Sequence, residues 1–167
     1  CWGRNQAGEL GDGTTLDRWL PVDVTGLDED IVTLAAGGEH TCAIMKSTGV
    51  KCWGANNAGQ LGDGTTTDRA SPVQVNGLTG GVKALALGVE HTCALTTLGG
   101  VKCWGWNVSG QLGDGTTTDR LTPVDVQGLS SGVQALAAGS DFTCALTSTG
   151  SVKCWGINFY GQLGDGT

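Results

Sequence analysis

The sequence predicts an all-β chain built as an arc of about three four-stranded antiparallel blades of a β-propeller. Three observations predict it. The phrase CWGxNxxG begins at Cys1, Cys52, Cys103 and Cys154, always 51 residues apart with no insertion or deletion. Each period holds four short segments with strand character, and turn-rich stretches bound every one of them. Glycine is 30 of 167 residues, well above the usual share of about 7%, and the plentiful Thr, Val and Leu suit short strands joined by tight turns. Four strands per unit of about 40–50 residues is the mark of a propeller blade.

The repeat frame is complete in each copy. GDGT recurs at Gly11, Gly62, Gly113 and Gly164, TCA at Thr41, Thr92 and Thr143, and D-R-x-x-P-V-x-V-x-G-L at Asp17, Asp68 and Asp119. The last 14 residues repeat the pattern of the first 14. The first strand is expected at Ile31–Ala36, with equivalents at Val82–Leu87 and Val133–Ala138. The second is expected at His40–Met45, the third at Val50–Trp53 and the fourth at Pro72–Val75. The expected units are 1–30, the third and fourth strands of a preceding blade; 31–81 and 82–132, two whole blades; and 133–167, a partial blade lacking its fourth strand.

Pairing the second and third strands as a hairpin gives a register. Cys42 opposite Cys52 also places Ile44 opposite Val50, and the same register gives Cys93–Cys103 with Leu95–Val101 and Cys144–Cys154 with Leu146–Val152. Residues two apart share a face, so each hairpin carries a cysteine pair beside an aliphatic pair. Gly49, Gly99 or Gly100, and Gly150 fall near the turns, where a positive φ is useful.

Six of the seven cysteines thus fall into pairs, and Cys1 is left over. Three readings of the pairs stand side by side. The first is a disulfide across every hairpin, Cys42–Cys52, Cys93–Cys103 and Cys144–Cys154, which implies an oxidising compartment. The second is free thiols packed as small hydrophobes. The third is zinc held by His40, Cys42 and Cys52 and again by His91, Cys93 and Cys103; Phe142 stands where the third unit would need its histidine, which argues against a shared metal role.

The net charge is −7, and no cluster of Lys or Arg appears. Phosphate backbones and anionic membranes call for a basic face, so neither nucleic acid nor a membrane surface is expected as a partner. There is no apolar run long enough to span a bilayer. No cofactor is expected, because no P-loop or dinucleotide fingerprint is present. An enzyme is not expected either: His40 and His91 occupy equivalent places in different units, and no nucleophile–base arrangement stands out. The histidines are expected to bond neighbouring backbone, and the tryptophans of CWG to pack between blades. A calcium reading of Asp63, Asp68, Asp114 and Asp119 lacks the EF-hand spacing. The sequon at Asn107 falls on an asparagine present in every repeat and is read as accidental.

The phrases A-x-G-x-x-H-T-C-A-L, V-K-C-W-G-x-N-x-x-G-Q-L-G-D-G and P-V-x-V, in this order and spacing, resemble the repeat of the regulator-of-chromosome-condensation family over essentially the whole chain. The resemblance implies a seven-bladed propeller with Ile31–Ala36 innermost and Pro72–Val75 outermost, so that further blades of a longer chain close the ring. Seven blades at this spacing need about 360 residues. Cysteine-paired repeats of the family resemble bacterial surface or secreted proteins, which implies an extracellular or cell-surface location, with the cytoplasm as the alternative. A light-sensing tryptophan cluster, found in one plant branch, needs a Gly-Trp-Arg-His-Thr phrase that is absent here.

Frame residues recur, so function is sought where the repeats differ. After CWG the chain reads Arg4, Ala55, Trp106 and Ile157; then come Gln6-Ala7, Asn57-Ala58, Val108-Ser109 and Phe159-Tyr160; Trp19 precedes the first P-V-x-V segment. Large apolar side chains in loops are typical interface anchors. A binding surface is therefore expected from Trp106, Val108, Phe159 and Tyr160, with Arg4 and Trp19 as further candidates, and a protein as partner. Two other functions remain open: guanine-nucleotide exchange on a small GTPase, as the name-giving member performs with a wedge insertion, and a structural module of a larger surface protein.

Overall fold

A computed structural model describes residues 1–27 and 30–167. Asp28 and Glu29, inside the expected opening unit 1–30, lie outside the described residues. Eleven strands occur among the described residues, and no helix. They run in order as β1 (Ile31–Ala36), β2 (His40–Met45), β3 (Gly49–Gly54) and β4 (Arg69–Gln74); β5 (Val82–Leu87), β6 (His91–Thr96), β7 (Val101–Gly105) and β8 (Arg120–Asp125); then β9 (Val133–Ala138), β10 (Phe142–Thr147) and β11 (Val152–Gly156). They form three antiparallel meanders, β1-β2-β3-β4, β5-β6-β7-β8 and β9-β10-β11.

The first two strands match the expected bounds. The fourth begins earlier than Pro72, because Arg69 already pairs with Gly54 across a register shift. Pro72 itself is tolerated because β4 is an edge strand, where its missing N–H leaves no ladder bond unmade. The opening segment forms a single bridge, Gly3 with Arg18, at the place where Gly54 pairs with Arg69 in the next unit.

The hairpin register is the expected one in all three units, with Cys42 opposite Cys52, Cys93 opposite Cys103 and Cys144 opposite Cys154. The hairpin turns bring Gly49, Gly99 and Gly150 to positive φ, where an L-residue is strained.

The sheets fan about their first strands: β1 lies against β5, and β5 against β9. Between consecutive sheets the packing is face to face and directional. The forward face of the first sheet, Cys42, Ile44, Val50 and Cys52, packs on Ala94 and Trp104 of the second. The forward face of the second, Cys93, Leu95, Val101 and Cys103, packs on Ala145 and Trp155 of the third. Every hairpin thus presents its cysteine–aliphatic quartet forward and an alanine with a tryptophan backward. The alanine is small enough to let the sheets approach, and the indole fills the space beside it.

Candidate functional site

All three cysteine pairs are disulfides, each with Cα atoms 4.1 Å apart. That short span is the spacing of a directly opposed pair that exchanges no ladder hydrogen bonds. The sulfurs are bonded to each other, so the free-thiol and zinc readings fall away; Cys1 alone is free among the described residues, and it is exposed.

The long loop between third and fourth strands is organised by its asparagine. Asn56 is fully buried; its Nδ2 donates to the carbonyls of Thr65 and Thr67 and to Asp63, and its Oδ1 accepts from the Leu61 N–H. Asp63 accepts from Thr65 and from Arg69, while Asp68 accepts from the Asn56 N–H. Asn5 and Asn107 repeat the arrangement. The aspartates of the calcium reading are therefore occupied by loop donors and an arginine. Burial works to raise the Asp114 carboxyl, but Thr116, Arg120 and Asn107 outweigh it and hold it at about 2. Asn107 of the sequon is fully buried with its amide nitrogen fully engaged, so it offers no attachment point for a glycan.

The same loop builds the blade junction. The Gln60 carbonyl accepts from the Trp104 indole N–H at 2.9 Å and from the Thr92 hydroxyl at 2.8 Å, both on the following sheet. His40 Nε2 donates to Thr92 Oγ1 at 2.8 Å. The next junction repeats this with His91, Thr143, Gln111 and Trp155. The histidines therefore bond a hydroxyl of the following blade, where a bond to backbone of their own blade was expected. Burial pushes the His40 imidazole down to about 3, with the His91 charge adding to it, and pushes His91 down to about 4. Neutral and enclosed, they act as struts and not as proton carriers. The tryptophans pack between blades as expected: Trp53 and Trp104 are fully buried, whereas Trp2 is exposed.

At two of the three junctions a second polar link joins the loop to the turn before the next second strand. Arg4 pairs with Glu39 at 2.6 Å and also donates to Gln6. In the next junction Gln60 Nε2 donates to Asn57 Oδ1 at 3.1 Å, and Asn57 Nδ2 donates to Glu90 at 2.8 Å. Sequence reasoning missed these partners. Their signal was the recurrence of an acid before each second strand, Glu39, Glu90 and Asp141.

The expected surface residues fall as follows. Val108, Phe159 and Tyr160 are 59%, 84% and 90% exposed, and Trp106 is partly buried. Trp106 and Ile157 occupy equivalent places, their N–H groups donating to the carbonyls of Glu90 and Asp141. Val108 and Phe159 thus rise from the same end of adjacent sheets. Trp19 is 91% exposed but lies with Arg4 in the opening segment, two repeats before Trp106. Arg4 is committed to Glu39.

Models of the regulator of chromosome condensation (RCC1) repeat match residues 1–44, 50–95 and 99–146, and in a second form 31–60, 82–111 and 133–162. The chain belongs to the RCC1 repeat family. Among its relatives, the ultraviolet-B receptor UVR8 of Arabidopsis thaliana is 39% identical over 99% of this chain and 38% of its own length. The probable E3 ubiquitin-protein ligase HERC3 of Homo sapiens is also 39% identical, over 99% of this chain and 16% of its own. The chain therefore spans well under half of these curated relatives. Among solved structures, Prp20p of Saccharomyces cerevisiae superposes on all of the chain with a TM-score of 0.84 at 28% identity, over 43% of its own length. Human WBSCR16 superposes on 93% of the chain with a TM-score of 0.80 at 25% identity, over 42% of its own. The likeness to Prp20p places the three meanders as consecutive blades of an RCC1 β-propeller. Among the described residues no helix is long and apolar enough to cross a membrane.

Proposed function

We propose that this RCC1-repeat arc is a non-catalytic module that binds a protein partner outside the cytoplasm. The observation that carries the reading is a division of labour between residues. The recurring polar side chains Asn56, Asp63, His40, Thr92 and the Trp104 indole are spent on loops and blade junctions. The residues left over at the loop end are large and apolar: Val108, Phe159 and Tyr160, with Trp106 beside them. Aromatic anchors on a rigid frame are what protein interfaces use. A net charge of −7 favours a protein over a phosphate backbone, and three disulfides favour an oxidising compartment. Prp20p is known for its binding to Gsp1p and histones, so protein capture has precedent on this fold.

The units 31–81, 82–132 and 133–167 are taken as blades of a longer ring. Leu146 and Val152 are 38% and 65% exposed, although their equivalents Leu95 and Val101 are covered by the next sheet. A following blade would cover them in the same way.

The test is capture of protein from the secretions and surface extract of the source cells. The Trp106→Ala/Phe159→Ala variant should lose captured bands while its circular dichroism stays that of the parent. Undiminished capture by a folded variant rejects the surface.

A further inference from the structure

The three junctions differ in how their outer polar link is closed, and the third is open. In the first, the guanidinium of Arg4 reaches Glu39. In the second, the Asn57 carboxamide accepts from Gln60 and donates to Glu90. In the third, Val108 stands where Asn57 stood, and both ends of the link lose their partner. Gln111 is fully buried, its Oε1 accepts from the Ser109 N–H, and its Nε2 has no hydrogen-bond partner. The Asp141 carboxylate has no donor among the described residues; the Ile157 N–H bonds its backbone carbonyl instead.

We infer that the open outer link of the third junction, beside Trp106 and Val108, docks a protein segment that presents an arginine, its guanidinium on Asp141. The chain supplies its own template for this contact. Arg4, at the repeat position of Trp106, sets its guanidinium on the equivalent turn acid at 2.6 Å. At the third junction that position holds an indole instead, and a planar guanidinium stacks on an indole face while it pairs with a carboxylate. Charge complementarity selects a cation over other occupants. Partial burial raises the Asp141 carboxyl and the Glu90 charge raises it further, so two acids share this end of the junction.

This inference rests on the binding surface proposed above and names the chemistry of its partner. Its test uses the chain with two blocked tripeptides, acetyl-Gly-Arg-Gly-amide and acetyl-Gly-Glu-Gly-amide, followed by the side-chain N–H resonance of Trp106. The arginine peptide should shift this signal saturably, and the glutamate peptide should not. Asp141→Asn should weaken the arginine response about tenfold or more, the usual worth of a charged hydrogen bond. Val108→Asn should abolish it while raising the melting temperature, because the new carboxamide closes the link internally. Equal responses to both peptides, or an undiminished response in Asp141→Asn, would overturn the inference. Capture separates the two readings: loss with Trp106→Ala/Phe159→Ala but not with Asp141→Asn removes the arginine alone, and loss with neither removes both.

Discussion

Replacing both buried histidines with phenylalanine should remove the acid sensitivity of this fold without dismantling it. The folded values of His40 and His91, about 3 and about 4, lie below the ordinary 6.5. Between those limits the unfolded chain binds protons that the folded chain refuses, so stability rises with pH there and is lost as pH falls below 6.5. Each histidine withdraws up to about 1.4 kcal/mol per pH unit. Allowing for partial protonation near 6.5, the pair costs about 3 kcal/mol between pH 6.5 and 5. Asp12 and Asp114 do not blur this window, since they titrate at about 2 in the fold. Phenylalanine fits: Phe142 already occupies the position in the third unit, over Gly139 as His91 lies over Gly88. The exchange gives up the bonds to Thr92 and Thr143, about 1 kcal/mol each, while both hydroxyls keep their carbonyl acceptors. Urea midpoints at pH 5 and 6.5 and constant ionic strength measure the slope. If His40→Phe/His91→Phe loses as much stability over that interval as the parent, the junction histidines are not what titrates.

Other perturbations address the frame. Gly62→Ala should destabilise by about 2 kcal/mol or more, because φ is +70° and a Cβ would lie 2.7 Å from the Trp104 indole nitrogen; thermal denaturation reads it. Trp104→Phe should cost about 2–4 kcal/mol through a lost indole bond to Gln60 and a cavity between blades, measured the same way. Removing the second disulfide as Cys93→Ser/Cys103→Ser should cost about 3 kcal/mol on the chain-entropy account of a ten-residue separation, and thiol titration of the unfolded, unreduced parent should find one free thiol, Cys1. Expression in a glycosylating host should leave Asn107 unmodified by mass spectrometry, since its side chain is fully buried.

What was legible in the sequence was whatever a fixed spacing encodes. The 51-residue period announced the blade, and the hairpin register followed because Cys42, Ile44, Val50 and Cys52 must share one face. The start of β4 was not legible, since Pro72 marks the edge strand but the bulge that lets Arg69 pair with Gly54 has no local signature. The partner of His40 was hidden for a different reason. Thr92 lies 52 residues away on another sheet, and only the packing of one blade on the next brings them together. A histidine that recurs at His40 and His91 reads equally well as a bond within the unit or across to its neighbour.

The same distinction explains where this chain keeps room for specificity. Bonds inside a loop, such as Asn56 to Asp63, close over a few residues and recur unchanged at Asn5 and Asn107. The outer links close across two units, so each end can change while the other stays. Three solutions result: an ion pair at Glu39, a carboxamide relay at Glu90, and an unclosed link at Asp141. The inner ties of His, Thr, Trp and the Gln carbonyl hold the second and third junctions alike. With those in place, the third junction can leave its outer link open without separating the blades. On the proposed reading, the Asp141 carboxylate left over at that link becomes binding chemistry, because the fold no longer needs it for cohesion.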